Sequence, residues 1–113
     1  MHEYSIVGEL ISRVEAEARA HGAASVHRIQ VRIGELAGVE IELLESAYAV
    51  FREKTICSNA RLEIDPIPAR WACPQCRRSI SRGEVLRCTH CQVPARLESG
   101  DEIILDRIEM EVS

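Results

Sequence analysis

Four cysteines in two Cys-x-x-Cys pairs, Cys73 with Cys76 and Cys88 with Cys91, most constrain what this chain can fold into. Each pair can supply two thiolates from one tight turn, and Zn²⁺ prefers four tetrahedral ligands, with thiolate sulfur among its favoured donors. A segment of fewer than about 40 residues has too small a core to fold alone and usually needs a metal or disulfides. The spacing therefore predicts a structural four-cysteine zinc site in an inserted module over residues 69–96.

The start of the sequence favours metal over disulfides for these thiols. Met1-His2-Glu3-Tyr4 has no basic region and Glu9 interrupts the first apolar stretch, so no signal peptide is expected. Paired cysteines without an export signal indicate a metal site in the reducing cytoplasm. A membrane segment is not expected either, because the longest apolar run, residues 47–51, is far shorter than the roughly 20 residues that span a bilayer. Cys57 lies outside both pairs and is predicted to be a buried free thiol.

Catalytic roles for the cysteine pairs are disfavoured by their surroundings. A thioredoxin-type pair begins a helix in a βαβ unit, and that context is missing here. A zinc deaminase needs His-x-Glu and Pro-Cys-x-x-Cys, but Ala72 precedes Cys73 and no His-x-Glu occurs. Four sulfur ligands also leave no open coordination position for a zinc hydrolase. The chain is therefore predicted not to be an enzyme.

The rest of the chain shows two hydrophobic periods. Apolar residues at helical spacing predict amphipathic helices over residues 4–20 and 40–53. Alternation of apolar and polar residues predicts three strands, over residues 28–33, 61–67 and 102–112. The last strand is predicted to have an apolar face made of Ile104, Ile108, Met110 and Val112. These elements predict an α+β fold: two helices packed on a three-stranded sheet, with a zinc-ribbon-like four-cysteine module inserted before the last strand. The predicted domains are residues 1–68 plus 97–113, and residues 69–96.

The charge balance argues against nucleic acid as the main partner. Lys and Arg number 14 against 18 Asp and Glu, whereas nucleic-acid-binding domains are usually basic. Aromatic residues make up 4% of the chain, too few for a base-stacking platform. Four arginines beside the cysteine pairs would offset the charge of a zinc tetrathiolate; they are Arg77, Arg78, Arg82 and Arg87. The same cluster keeps an alternative open, a zinc-ribbon interaction module that binds nucleic acid or a protein partner.

Apart from the cysteines, the sequence singles out His2 as a candidate metal ligand. A lone histidine near a terminus is normally solvated, but position 2 has particular chelating chemistry. The α-amine, the backbone nitrogen of residue 2 and its imidazole can close two fused rings around one ion, with three nitrogens in a plane. Planar nitrogen sites suit Ni(II) or Cu(II) rather than tetrahedral zinc.

Several motifs together resemble the HypA/HybF family of nickel metallochaperones for [NiFe]-hydrogenase. They are the Met1-His2-Glu3 start, the amphipathic helix after it, the turn Gly34-Glu35-Leu36-x-Gly38, the two cysteine pairs and the short acidic last strand. The resemblance covers essentially the whole chain. It implies an α/β domain that binds nickel and an inserted domain that holds zinc through the four cysteines.

The resemblance also implies a site and partners. Nickel ligands are expected from Met1, His2 and Glu3, with a further donor at Glu40, where some relatives carry aspartate. The cargo would be Ni(II), delivered to the hydrogenase large-subunit precursor together with the GTPase HypB. Some family members also serve urease maturation, which adds urease accessory proteins to the expected partners. A monomer and a homodimer are both compatible with the sequence.

Overall fold

The apolar spacing near the start of the chain produces a long amphipathic helix in the computed structural model, which describes residues 3–81 and 83–112. Helix α1 (Glu3–Ala20) buries the five residues of the predicted stripe, which are Val7, Leu10, Ile11, Val14 and Ala18. Gly22 follows the helix at φ +66°, the left-handed conformation that ends many helices. Like the other helices of the described residues, α1 is not of the long apolar kind that crosses a bilayer.

A three-stranded sheet carries both helices on one face. Its strands are β1 (Ala23–Gly34), β2 (Arg61–Ile67) and the last strand of the chain, Ile103–Val112, in the order β2, β1, last strand. β1 and β2 are parallel, so the chain between them must cross over, and helix α2 (Ile41–Phe51) makes that crossover. Buried residues of α1, α2 and β1 form one continuous core. The predicted α+β fold is confirmed.

Bulges explain where the strands differ from the prediction. β1 begins five residues before the predicted strand, and His27 is an extra residue between the paired positions Val26 and Arg28. Val26 and Ile29 are therefore both buried although they are three residues apart, which breaks the alternation that the sequence analysis relied on.

A second bulge explains why Ile104 does not belong to the apolar face that was predicted for it. In the last strand the register shifts between Leu105 and Arg107, so Leu105 contacts the core together with Ile108 and Met110. Ile104 is 38% exposed and Val112 is 56% exposed, so the prediction that both belong to the apolar face was wrong.

A second, smaller sheet lies in the segment between β2 and the last strand. Its strands are β3 (Arg70–Ala72), β4 (Ser79–Ile80) and β5 (Arg96–Ser99), antiparallel in the order β4, β3, β5; the last strand of the chain is therefore β6. The domain boundary predicted at residue 97 falls inside β5. The molecule measures 57 × 27 × 16 Å with a radius of gyration of 18.0 Å, against about 13 Å for a compact domain of this length. The two sheets therefore lie end to end.

Gly8 offers a direct test of the helix. It lies in the middle of α1, and a Cβ placed there meets no atom within 4 Å. Because alanine loses less backbone entropy than glycine in a helix, Gly8→Ala is expected to stabilise the first sheet and its helices by about 1 kcal/mol. Urea unfolding followed by circular dichroism at the helix band measures this. Gly22→Ala is the control, since it has equal space but φ +66°, and it is expected to destabilise. A loss of stability in Gly8→Ala would contradict the helix interior assigned here.

Candidate metal centre

The four paired cysteines come together in the second sheet. The sulfur atoms of Cys73, Cys76, Cys88 and Cys91 all lie within 4.8 Å of one another. Cys76 Sγ and Cys88 Sγ are 3.8 Å apart, too far for a disulfide. A tetrahedral Zn²⁺ with bonds of about 2.3 Å to sulfur would hold its ligands about 3.8 Å apart. The arrangement fits a tetrahedral metal with all four positions taken.

Backbone N–H groups point at the sulfur that begins each pair. Cys73 Sγ accepts from the N–H of Gln75 and of Cys76, both at 3.4 Å. Cys88 Sγ accepts from the N–H of Cys91, also at 3.4 Å. These hydrogen bonds favour the thiolate form, which is the form that binds metal. The two turns therefore present equivalent, pre-oriented pairs of ligands.

A left-handed residue closes each turn, and this feature was not predicted from the sequence. Arg77 and Gln92 each follow the first cysteine of their pair by four positions, with φ of 65° and 59°. Their N–H groups donate to the carbonyls of Cys73 and Cys88 at 2.9 and 2.8 Å. Neither residue is the glycine that normally marks such a backbone.

The surroundings push the thiol pKa values of the cluster apart. The hydrogen bond from the Cys91 backbone lowers the pKa of Cys88 to about 6. Desolvation raises the pKa of Cys91 to about 12, and the neighbouring sulfurs act in the same direction. At neutral pH Cys88 is therefore largely a thiolate, whereas Cys91 is still a neutral thiol. Metal binding must release the remaining protons.

The four arginines of the predicted cluster differ in their surroundings. Interaction with Cys88 raises the pKa of the Arg78 guanidinium. Arg87 Nη2 donates to the Gln92 carbonyl at 2.6 Å and so supports the second turn. Arg77 is exposed, and Arg82 lies outside the described residues. Among the described arginines, Arg78 is placed to offset thiolate charge.

A small apolar core supports the cluster. Cys73, Ile80 and Cys88 are buried together, and Trp71, Val93 and Ala95 pack against them as partly buried residues.

The remaining cysteine, Cys57, is fully buried in the core of the first sheet, and burial raises its pKa. The prediction of a buried free thiol at Cys57 is confirmed.

Two of the four predicted nickel residues meet where helices α1 and α2 begin. Glu3 begins α1, and Glu40 occupies the position before the first turn of α2. The Glu40 N–H donates to Glu3 Oε2 at 3.1 Å, which ties together the starts of the two helices. Carboxylates are favourable at this end of a helix, where the dipole is positive. Met1 and His2, the other two predicted residues, lie outside the described residues.

Comparison with known proteins gives one consistent result. A family model described as "Hydrogenase/urease nickel incorporation, metallochaperone, hypA" matches residues 1–110. The hydrogenase maturation factor HypA of Shewanella halifaxensis is 37% identical, over 98% of both chains. The protein of the same name from Nitrosospira multiformis is 38% identical, over 97% of both chains. The solution structure of the Ni metallochaperone HypA from Helicobacter pylori is 30% identical and covers 100% of both chains with a TM-score of 0.76.

Proposed function

The chain belongs to the HypA family of nickel metallochaperones for hydrogenase maturation, and we propose that it binds Ni(II) at its N-terminus and delivers it to the [NiFe]-hydrogenase large subunit. One structural observation carries the location of the site. The hydrogen bond between Glu3 and the Glu40 backbone holds Glu40 beside the start of α1, where the first two residues join the helix.

The proposed nickel ligands are nitrogens of the first residues together with one carboxylate. The Met1 amine, backbone nitrogens and the His2 imidazole supply the planar donor set that Ni(II) favours. Glu40 is exposed and adds an oxygen donor or a counter-charge. The Glu3 carboxylate accepts the Glu40 N–H, so its contribution is to keep the start of α2 next to the start of α1.

The two metal centres are proposed to have different duties. Two sulfurs of the four-cysteine cluster are buried, and its four positions would all be filled by Zn²⁺, so this metal is resident and structural. A site at a chain terminus has few locked ligands and can release its ion. Nickel is therefore the cargo and zinc the cofactor.

The proposed partners and location are those expected for a member of this family. We propose that the chain works with the GTPase HypB in the cytoplasm, where reduced thiols persist, and that it catalyses no reaction itself. The family description also includes urease, so urease accessory proteins are proposed as further partners. The proposed nickel domain is 1–68 plus 97–113, with zinc held by 69–96. A homodimer is compatible with this division.

Nickel titration of the zinc-loaded chain tests the proposal. We expect about one Ni(II) per chain when Met1 is the true first residue. Removing a chelating donor should weaken binding at least about tenfold, the equivalent of 1.4 kcal/mol, in His2→Ala and in a chain extended before Met1. Isothermal calorimetry at fixed pH measures this.

His21→Ala is the matched control, because His21 is an exposed histidine at the end of the same helix. It should bind nickel like the wild type. Equal nickel binding by all four proteins would contradict the terminal site and favour the zinc-ribbon interaction module instead. Loss in His2→Ala without loss in the extended chain would assign the imidazole, and not the amine, to the site.

A further inference from the structure

The chain passes between the two sheets twice, over residues 67–70 and 99–103, and both crossings lie against the turn that follows β1. We call residues 34–38 the β1 turn. Three backbone hydrogen bonds hold the crossings to it: Glu35 N–H to the Ile67 carbonyl at 2.9 Å, Leu36 N–H to the Gly100 carbonyl at 2.6 Å, and Gly34 N–H to the Glu102 carbonyl at 2.8 Å. The β1 turn therefore contacts both segments that join the sheets.

The backbones at this junction are packed without side chains between them. A Cβ at Gly34 would overlap the Gly100 carbonyl group and lie 2.7 Å from the Asp101 nitrogen. A Cβ at Gly100, which has φ +110°, would lie 2.5 Å from the Ala69 Cα. Gly34, Gly100 and Ala69 thus stack in sequence from the first sheet to the start of the second.

The Glu35 side chain adds a bond to the crossing where the backbone has few donors. Pro68 has no N–H, so the Ala69 N–H is the first donor after Ile67, and it donates to Glu35 Oε1. Hydrogen bonds from an N–H to a carboxylate are about twice as strong as neutral ones. Glu35 therefore holds Ala69 from one side while Gly100 packs against it from the other.

We propose that Glu35 is a positioning residue that locks the second sheet to the first, so that the two move as one body. The inference rests on the junction alone and stands whichever metal the N-terminus carries. Sheets joined by short segments move relative to each other unless their interface restrains them. Here the restraint lies in the β1 turn, which continues directly to Glu40 and its bond with Glu3. The orientation of the second sheet is thereby tied to the start of α2.

Residual dipolar couplings of the full, zinc-loaded chain test this inference. One alignment tensor should fit amides of both sheets in the wild type. In Glu35→Ala one tensor should no longer fit both sheets, because Ala69 loses its acceptor. Glu35→Gln keeps an acceptor oxygen and should restore the single tensor. Glu98→Ala, an exposed glutamate on β5, is the control and should behave like the wild type.

The Ala69 amide gives a second measurement that needs no large rearrangement. Its proton should move upfield in Glu35→Gln, because a neutral acceptor replaces a charged one, and Glu98→Gln should leave it unchanged. Two tensors in the wild type, a single tensor in Glu35→Ala, or an unmoved Ala69 resonance would each overturn the proposal. Because none of these measurements involves nickel, their failure is separate from failure of the proposed function.

Discussion

Replacing Cys88 by serine is expected to unfold the second sheet and leave the first sheet folded. Among its described residues, the second sheet has strands of three, two and four residues and a core of three buried residues, two of which are metal-binding candidates themselves. Structural zinc contributes roughly 10–16 kcal/mol of apparent binding free energy at neutral pH in small zinc modules. No hydrophobic core of this size replaces such a contribution.

Trp71 reports the outcome, because it is the single tryptophan of the chain and packs against the cluster. Its fluorescence should shift to the red in Cys88→Ser and when a chelator removes the metal from the wild type. Amide resonances of α1 and β1 should stay dispersed. Cys57→Ser is the control: it changes a buried cysteine of the first sheet and should keep one bound zinc. A second sheet that stays folded without metal would contradict the assigned role.

Gly34→Ala should be among the most damaging single substitutions in the first sheet, with a loss of about 3–5 kcal/mol of unfolding free energy. A Cβ at Gly34 meets the carbonyl of Gly100 and the nitrogen of Asp101, which are backbone atoms, so no flexible side chain can move aside. The neighbouring N–H of Leu36 is bonded to that same carbonyl, so relief of the overlap would break the junction.

Urea unfolding of the zinc-loaded protein measures this loss. Gly38→Ala in the same turn is the matched variant, because Gly38 has φ +76° but open space around its Cα. It should cost only the strain of a left-handed alanine, about 1 kcal/mol. Equal losses in the two variants would show that backbone conformation, and not the close approach of Gly100, explains the glycine at position 34.

The parts of this fold that were predictable from sequence are those with a local signal. The stripe from Val7 to Ala18 has a clear helical period, and the two cysteine pairs carry their geometry in their spacing. Periodicity failed at Ile104 because a register shift is decided by the neighbouring strand and leaves no mark in the alternation. Strands of two to four residues in the second sheet are too short to show a period.

The contacts that position Glu35 and Glu40 join residues far apart in the chain, so they could not be predicted from the sequence. Glu35 and Ala69 are 34 residues apart, and Glu3 and Glu40 are 37 apart. The family resemblance singled out Glu3 and Glu40, but only the fold shows that the carboxylate of one accepts the N–H of the other. For Glu35 the sequence indicated only a residue in a turn. Its hydrogen-bond partner, the Ala69 N–H, could be identified only from the folded structure.

Because the second sheet is inserted before β6, it is translated before the first sheet is complete. β1 leaves the ribosome early, but its antiparallel partner is translated only after all the residues of the cysteine cluster. Until then the nascent chain exposes an uncovered strand edge and a set of unmetallated thiols at the same time, and free edges invite pairing with other chains. The supply during translation of the metal that these thiols bind therefore bears on how much of the newly made chain escapes aggregation.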